Sequence, residues 1–183
     1  MKHGSKIYKQ GDCDGLCGIY AIVNALSALC PEIDKTHAKA LFRALVASLA
    51  AHRKAPLSVV CDGMHGTLLR SMLTRGETHV NQRFSAQITR SRLNLPASRA
   101  TTRQLCERLR DALEDDHVAI LMIDGSYSHW TVAYEVTDKT IRLLDSTGMK
   151  YLLRSRCTFI PTSKGHQLFR DEIILVRRQL SKE

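Results

Sequence analysis

What this chain has little of narrows its function before any motif is considered. Aromatic residues make up only 5% of its 183 residues, with one tryptophan among them. That leaves no interleaved aromatic platform on which nucleobases would stack, and it predicts a core of Leu, Ile, Val and Ala. No apolar run reaches the ~18 residues that a membrane-spanning helix needs. The opening residues, MKHGSKIYKQGD, lack the apolar stretch of a secretory signal. The expected location is therefore cytoplasmic, or outside the cell by a route that needs no N-terminal signal. Internal repeats, low-complexity tracts and long linkers are absent as well. Residues 1–183 are expected to form a single domain, since this length suffices for one core and is short for two.

Acidic residues are also in short supply, 18 against 27 Lys and Arg, for a formal charge of +9. Such a balance bears on partners, not on fold. It is compatible with nucleic acid, an anionic membrane surface or an acidic protein. The arginines are dispersed, however: Arg90, Arg92, Arg99, Arg103, Arg108, Arg110, Arg154, Arg156, Arg177 and Arg178 form no block. The reading favoured is a solvated basic surface and not a nucleic-acid site. Cys13, Cys17, Cys30, Cys61, Cys106 and Cys157 are even in number, but a chain this long has no need of disulfide staples. Cys30, Cys61, Cys106 and Cys157 lie in apolar or amphipathic surroundings and are expected to be buried thiols.

The pattern divides in two. Residues 17 to about 80 read as helical. Ile19, Ile22, Val23 and Leu26 recur at helical spacing up to Pro31. DKTHAKALFRALVASLAAHR follows, with Asp34 or Thr36 as cap and Leu41, Leu45 and Leu49 on one face. GMHGTLLRSMLTRGETHV is a shorter helical stretch. From about 84 to 180 the chain turns to strands, interrupted by an amphipathic helix with Leu105, Leu109 and Leu113 on one face. FSAQITRSRL, VAILMID, HWTVAYEVTD, TIRLLDST, YLLRSRCTFI and EIILVRR are strand-like, and the short TDK turn suits an antiparallel hairpin. Helices first and an antiparallel sheet later predict an α+β domain, the early helix packed on the late sheet.

That packing matters because of QGDCDGLCGIYAIVNAL, residues 10–26. Cys17 and Gly18 stand where the helix begins. Free N–H groups and the positive end of the helix dipole favour a thiolate, the nucleophilic form. Gly11 and Gly15 suit a tight approach loop, and Gly18 would leave room for a substrate backbone. A thiolate nucleophile needs a base. Of eight histidines, His129 opens an alternating strand directly after a Gly-Ser-Tyr-Ser turn. If 129–136 and 140–147 pair around TDK, His129 and Asp145 lie near one end of the hairpin, where a carboxylate can fix the imidazole tautomer. Gln10, on the approach loop, could join the Cys17 N–H in binding an oxyanion.

This order of parts resembles the papain-like cysteine peptidase superfamily, in particular its compact members, the Josephin-type deubiquitinases and the C39-type peptidases. KQGDCDGLCGIYAIVNAL is similar to their opening block at Lys9, Gln10, Gly15, Leu16, Cys17, Asn24 and Leu26. HWTVAYEVTDKTIRLLDS resembles the second block at His129, Trp130 and Asp145. The resemblance implies a papain-like fold with Cys17 as nucleophile, His129 as base, Asp145 as orienting acid and Gln10 as oxyanion donor. It further implies hydrolysis of a peptide or isopeptide bond in a protein or peptide substrate, with no metal or organic cofactor. The Gln-to-Cys interval is longer than the family's, which leaves Asp12 or a backbone amide as alternatives to Gln10. Cys13 is a second thiol in the same loop.

Other readings stand beside this one. Cys13 and Cys17 with a histidine could bind zinc, although no second ligand pair follows at finger spacing. Trp130 either gates the site or packs under His129. Asn24 reads as a buried hydrogen-bonding residue. The scaffold could be an inactive binding module with a basic partner surface, or an acyltransferase of the transglutaminase kind. A small basic domain of this type suits a secreted effector or toxin as well as a housekeeping peptidase. Residues 30–115 match no pattern.

Overall fold

A computed structural model describes residues 6–11, 14–51, 56–95, 101–114 and 117–179. Helices come first: α1 (Cys17–Leu29), α2 (Lys35–Ala50), α3 (Pro56–Asp62) and α4 (Gly66–Phe84). Strand β1 (Gln87–Arg92) and helix α5 (Thr102–Glu114) lead into β2 (His117–Gly125), β3 (His129–Val136), β4 (Thr140–Leu143), β5 (Tyr151–Leu153), β6 (Cys157–Thr158), β7 (His166–Leu168) and β8 (Ile174–Gln179). The result is an α+β architecture, with N-terminal helices on a C-terminal sheet of order β1-β8-β2-β3-β4-β5. All pairings along that path are antiparallel. The departure from the expected antiparallel sheet is a short parallel pair, β6 with β7, appended where β7 continues beside the end of β2.

Helix α1 is the centre of the molecule. Ile19, Ile22 and Leu26 are fully buried, because α2 and α4 cover one side and β2 and β3 the other. A helix enclosed in this way is apolar nearly all round. It ends at Leu29, and Cys30 turns extended ahead of Pro31, as the proline ring demands of the residue before it. Asp34, not Thr36, caps α2, accepting a 2.8 Å bond from the His37 N–H. Leu41, Leu45 and Leu49 then face inward, each burial contributing roughly 2 kcal/mol. Helix α5 opens on a reciprocal cap between Thr101 and Gln104, and buries Leu105, Leu109 and Leu113.

The sheet therefore has two covered faces. Val118, Ile120, Trp130 and Val132 join the α1–α4 core. Ala119, Leu121, Ile123 and Ala133 join the α5 core. Coverage of both faces explains why VAILMI is continuously apolar where a half-buried strand would alternate. Three cysteines are buried as expected, and burial pushes the Cys30 thiol up to about 11 and Cys157 up to about 12. Cys61 is not; it is exposed on the last turn of α3. Among the described side chains of that seven-residue helix only Val59 is fully buried, and Leu57 is left at 77% exposure. Its apolar composition overstated its burial.

Candidate active site

Cys17 is the first residue of α1, and Leu16 at the cap position offers no side-chain bond. The opening N–H groups of a helix have no partner within it. The loop that delivers Cys17 is locally determined. Asp14 Oδ1 accepts from the Leu16 N–H at 3.0 Å, and the Gly15 N–H donates to the Val60 carbonyl at 2.6 Å. A Cβ on Gly15 would sit 2.9 Å from the Val59 and Val60 carbonyl oxygens, so the loop can lie against α3 only with glycine there. Gly18 does not have the expected role. It is buried, and a Cβ on it would meet Leu69 at 2.9 Å and Met64 at 3.2 Å. Its small size serves the packing of α1 on α4, not room for a substrate.

The β3–β4 hairpin brings the other two groups together. The Thr137 N–H closes the TDK turn on the Thr140 carbonyl at 2.8 Å. The register pairs Ala133 with Leu143, and a 2.8 Å bond from the Leu144 N–H to the Val132 carbonyl extends it. Asp145 thus arrives beside His129, with 2.6 Å between Oδ2 and Nε2. Both side chains are almost wholly buried. Asp145 Oδ1 accepts further bonds from the Thr147 N–H at 2.9 Å, the Thr147 hydroxyl at 2.6 Å and the Met149 N–H at 3.2 Å. The Cys17 side chain also acts on the imidazole; its sulfur lies 3.9 Å from the Gly15 carbonyl oxygen.

The electrostatics follow from burial and these bonds. Burial alone would discharge the ring, but the bond to Asp145, the contact with Cys17 and the negative charge on both outweigh it. His129 is pushed up to about 9. Burial likewise opposes the charge on Asp145. The bonds from His129 and Thr147 prevail and hold its carboxyl well below the usual carboxylate range.

Cys17, His129 and Gln10 line a common cleft of about 720 Å³. The Gln10 N–H is tied to the Ser146 carbonyl at 2.9 Å, next to Asp145. Its side-chain amide donates to the Asp14 carbonyl, and the amide carries a second N–H. The longer Gln-to-Cys interval therefore still returns Gln10 to the site. Asp12 and Cys13 lie outside the described residues. Trp130 packs and does not gate: it is buried, and its indole N–H donates to the Met64 carbonyl at 2.6 Å. Asn24 behaves as expected, pinning the approach segment to α1 through both the N–H and the carbonyl of Tyr8.

Two parts of the cleft were missed in the sequence. One wall is the end of α3 and the α3–α4 connection, Cys61 to His65, whose only signal was the Asp-Gly pair at 62–63. The other is Tyr127, which stacks on His129 and stood unremarked in the Gly-Ser-Tyr-Ser turn. Among the described residues no cluster of His, Cys, Asp or Glu is placed to hold a metal ion, and no helix is long and apolar enough to cross a membrane. A thiol and an imidazole that line an open cleft, with a buried carboxylate bonded to the imidazole, make an arrangement able to generate and use a sulfur nucleophile. Set against protein-family models, curated proteins and solved structures, the chain matches none.

Proposed function

We propose that this chain is a papain-like, cysteine-dependent hydrolase acting on a peptide or isopeptide bond. The observation that carries the reading is the setting of one imidazole: His129 is bonded to the buried Asp145 carboxylate at 2.6 Å and lines the same cleft as Cys17, the first residue of α1. The resemblance of the Cys17 and His129 blocks to the papain-like superfamily agrees with it.

In this mechanism His129 takes the Cys17 proton, and Asp145 stabilises the resulting imidazolium. The thiolate attacks the substrate carbonyl carbon. Charge develops on the carbonyl oxygen, where the Cys17 N–H and the second Gln10 amide N–H act as donors. His129 then gives its proton to the leaving amine as the C–N bond breaks. Water, deprotonated by His129, attacks the thioester and releases the carboxylic acid, and the proton returns to sulfur.

A thiol-directed acyl probe tests the reading. The full chain is treated with the probe and digested, and the modified peptide is identified by mass spectrometry. Modification at Cys17, lost in His129→Ala, is the expected result; modification at another cysteine overturns it. Profiling on fluorogenic peptides beside ubiquitin-type substrates then defines the bond cleaved. An added primary amine separates transfer from hydrolysis by the product formed.

A further inference from the structure

Helices α2 and α4 pack side by side over α1, and an open groove of about 320 Å³ runs between them. Its shape follows from the side chains at helical spacing along each wall. Leu41 and Leu45 of α2 are buried and make the floor. Ala44 and Ser48, on the same face, are too short to fill the space above it. On the α4 wall the Thr74 hydroxyl donates to the Arg70 carbonyl at 3.0 Å, and the Thr78 hydroxyl to the Thr74 carbonyl at 2.9 Å. Both hydroxyls are turned onto the backbone of their own helix. Arg75 is left to supply the charge of the groove, with the His79 ring one turn further along. From Thr74 to Gln82 the wall is about two turns long, roughly 12 Å.

The charge on these two helices is of one sign. Helix α2 contains no Asp or Glu; Asp34 just ahead of it is engaged in the cap. The one acid of α4, Glu77, reaches Arg90 of β1 at 3.4 Å, and Arg70 is matched by Glu172 at 2.6 Å. Among the described residues Lys35, Lys39, Arg43, Arg75 and Arg83 have no carboxylate partner. The cleft at Cys17 is the reverse: Asp14 and Asp62 line it, and no Lys or Arg does. An acidic segment is therefore repelled by the cleft and attracted to the helices. We propose that the α2–α4 groove receives an acidic amphipathic helix of a protein partner. A pair of carboxylates one turn apart lies on Arg75 and His79, and small apolar side chains lie on the Leu41–Leu45 floor. A helix fits because its ridge of side chains enters the groove between two others. The His79 ring has an N–H to donate in either tautomer. No aromatic side chain lines the groove for a base to stack on. Among the described residues no exposed large apolar side chain stands on α2 or α4 to enter a bilayer. No residue of the groove lines the cleft, so the partner docks away from Cys17 whether or not the chain cleaves a bond.

The probe is a fluorescein-labelled, hydrocarbon-stapled helical peptide with Glu at positions i and i+4 and Ala and Leu beside them. Its counterpart carries Gln in place of both Glu. Fluorescence anisotropy against the full chain measures both. The acidic peptide is expected to bind with a Kd below about 1 mM, and about tenfold tighter than the Gln peptide. Arg75→Glu should weaken it about tenfold. Ala44→Leu fills the groove without changing its charge and should weaken it by about as much. Should Ala44→Leu fail to fold, Ser48→Leu fills the same wall; Arg75 is exposed, so its replacement spares the core. Arg108→Glu, at an exposed position on α5, should stay within about twofold of wild type. Equal affinity for the two peptides, or an equal loss in Arg108→Glu, would reduce the attraction to net charge and overturn the site. So would the absence of binding by the acidic peptide. A DNA duplex and phosphatidylserine vesicles are titrated in parallel. Binding of either in place of the peptide, lost in Arg75→Glu, would assign the face to that partner and overturn the proposal.

Discussion

The two ends of α1 each carry a cysteine, and they differ in what stands opposite. Cys17 and Cys30 are both buried by area, at 8% and 0% exposure. Cys30 stands at the C-terminal end of the helix, with its backbone N–H on the Leu26 carbonyl. Burial pushes its thiol up to about 11, against a partial countereffect of Arg178. Cys17 stands at the N-terminal end, where the free N–H groups favour negative charge, and faces an imidazole that is itself paired to a carboxylate. Burial alone therefore would not separate a structural thiol from the nucleophile proposed at Cys17. Helix polarity and the neighbour would.

The sharpest way to break this comparison is to remove the sulfur at each end in turn. Cys17→Ala is expected to lower kcat/KM by roughly 10³-fold or more, as removal of a nucleophile does. His129→Ala should match it, because the two act as a unit. Steady-state kinetics on a fluorogenic acyl substrate measures both. Retained turnover in Cys17→Ala would move the chemistry to another thiol.

A smaller effect tests what the N-terminal end adds beyond sulfur. Gln10→Ala should lower kcat by about 10²-fold with little change in KM, the pattern of a donor used only in the transition state. Gln10→Glu keeps the length but replaces the amide donor by an acceptor, so it should not rescue. Equal loss in KM and none in kcat would make Gln10 a wall of the cleft and nothing more.

How much of this was legible depended on the range of the interactions. Asp34 as a cap and the TDK hairpin are local, and they appeared where the sequence placed them. His129 and Asp145 were legible because one hairpin register carries both. Cys17 was legible because a helix start is marked by its own neighbours. Gly18 was misjudged because its role is set by Leu69 and Met64, some fifty residues later. Cys61 was misjudged because α3 is too short for periodicity to show which face is covered. Tyr127 was invisible for a related reason: Ser126 just before it is held by the carbonyl of Gly165, far along the chain.

The imidazole end of the comparison also has a pH signature in stability. The Asp145 carboxyl lies below its ordinary 3.8, so its share of stability is complete above that value and lost as pH falls further. His129 is raised from 6.5 to about 9, so its share is complete below 6.5 and lost as pH rises through about 9. Both shares are whole only between about 3.8 and 6.5. The stability gap between wild type and Asp145→Asn, measured by urea unfolding, is expected to peak in that window at a few kcal/mol, on the order of a buried pair broken at one partner. It should shrink toward pH 9 and again in acid. A gap that is flat with pH would mean that the pair is neutral in the folded protein.

The least effect is expected at the far end of the same helix. Cys30→Ala removes one sulfur from a site with no exposed surface. The lost contacts and the small cavity should cost about 1 kcal/mol of unfolding free energy. Among the described residues the backbone partners of Cys30 are Leu26 and Ile33, neither of which lines the cleft. The kcat, KM and pH profile should therefore equal those of wild type. Alkylation of the native protein at neutral pH should leave Cys30 unmodified while Cys17 reacts, since the Cys30 thiol stays protonated until far above that pH. If Cys30→Ala instead impaired turnover as strongly as Gln10→Ala, α1 would be transmitting a packing change along its length, and the two ends could no longer be treated as independent.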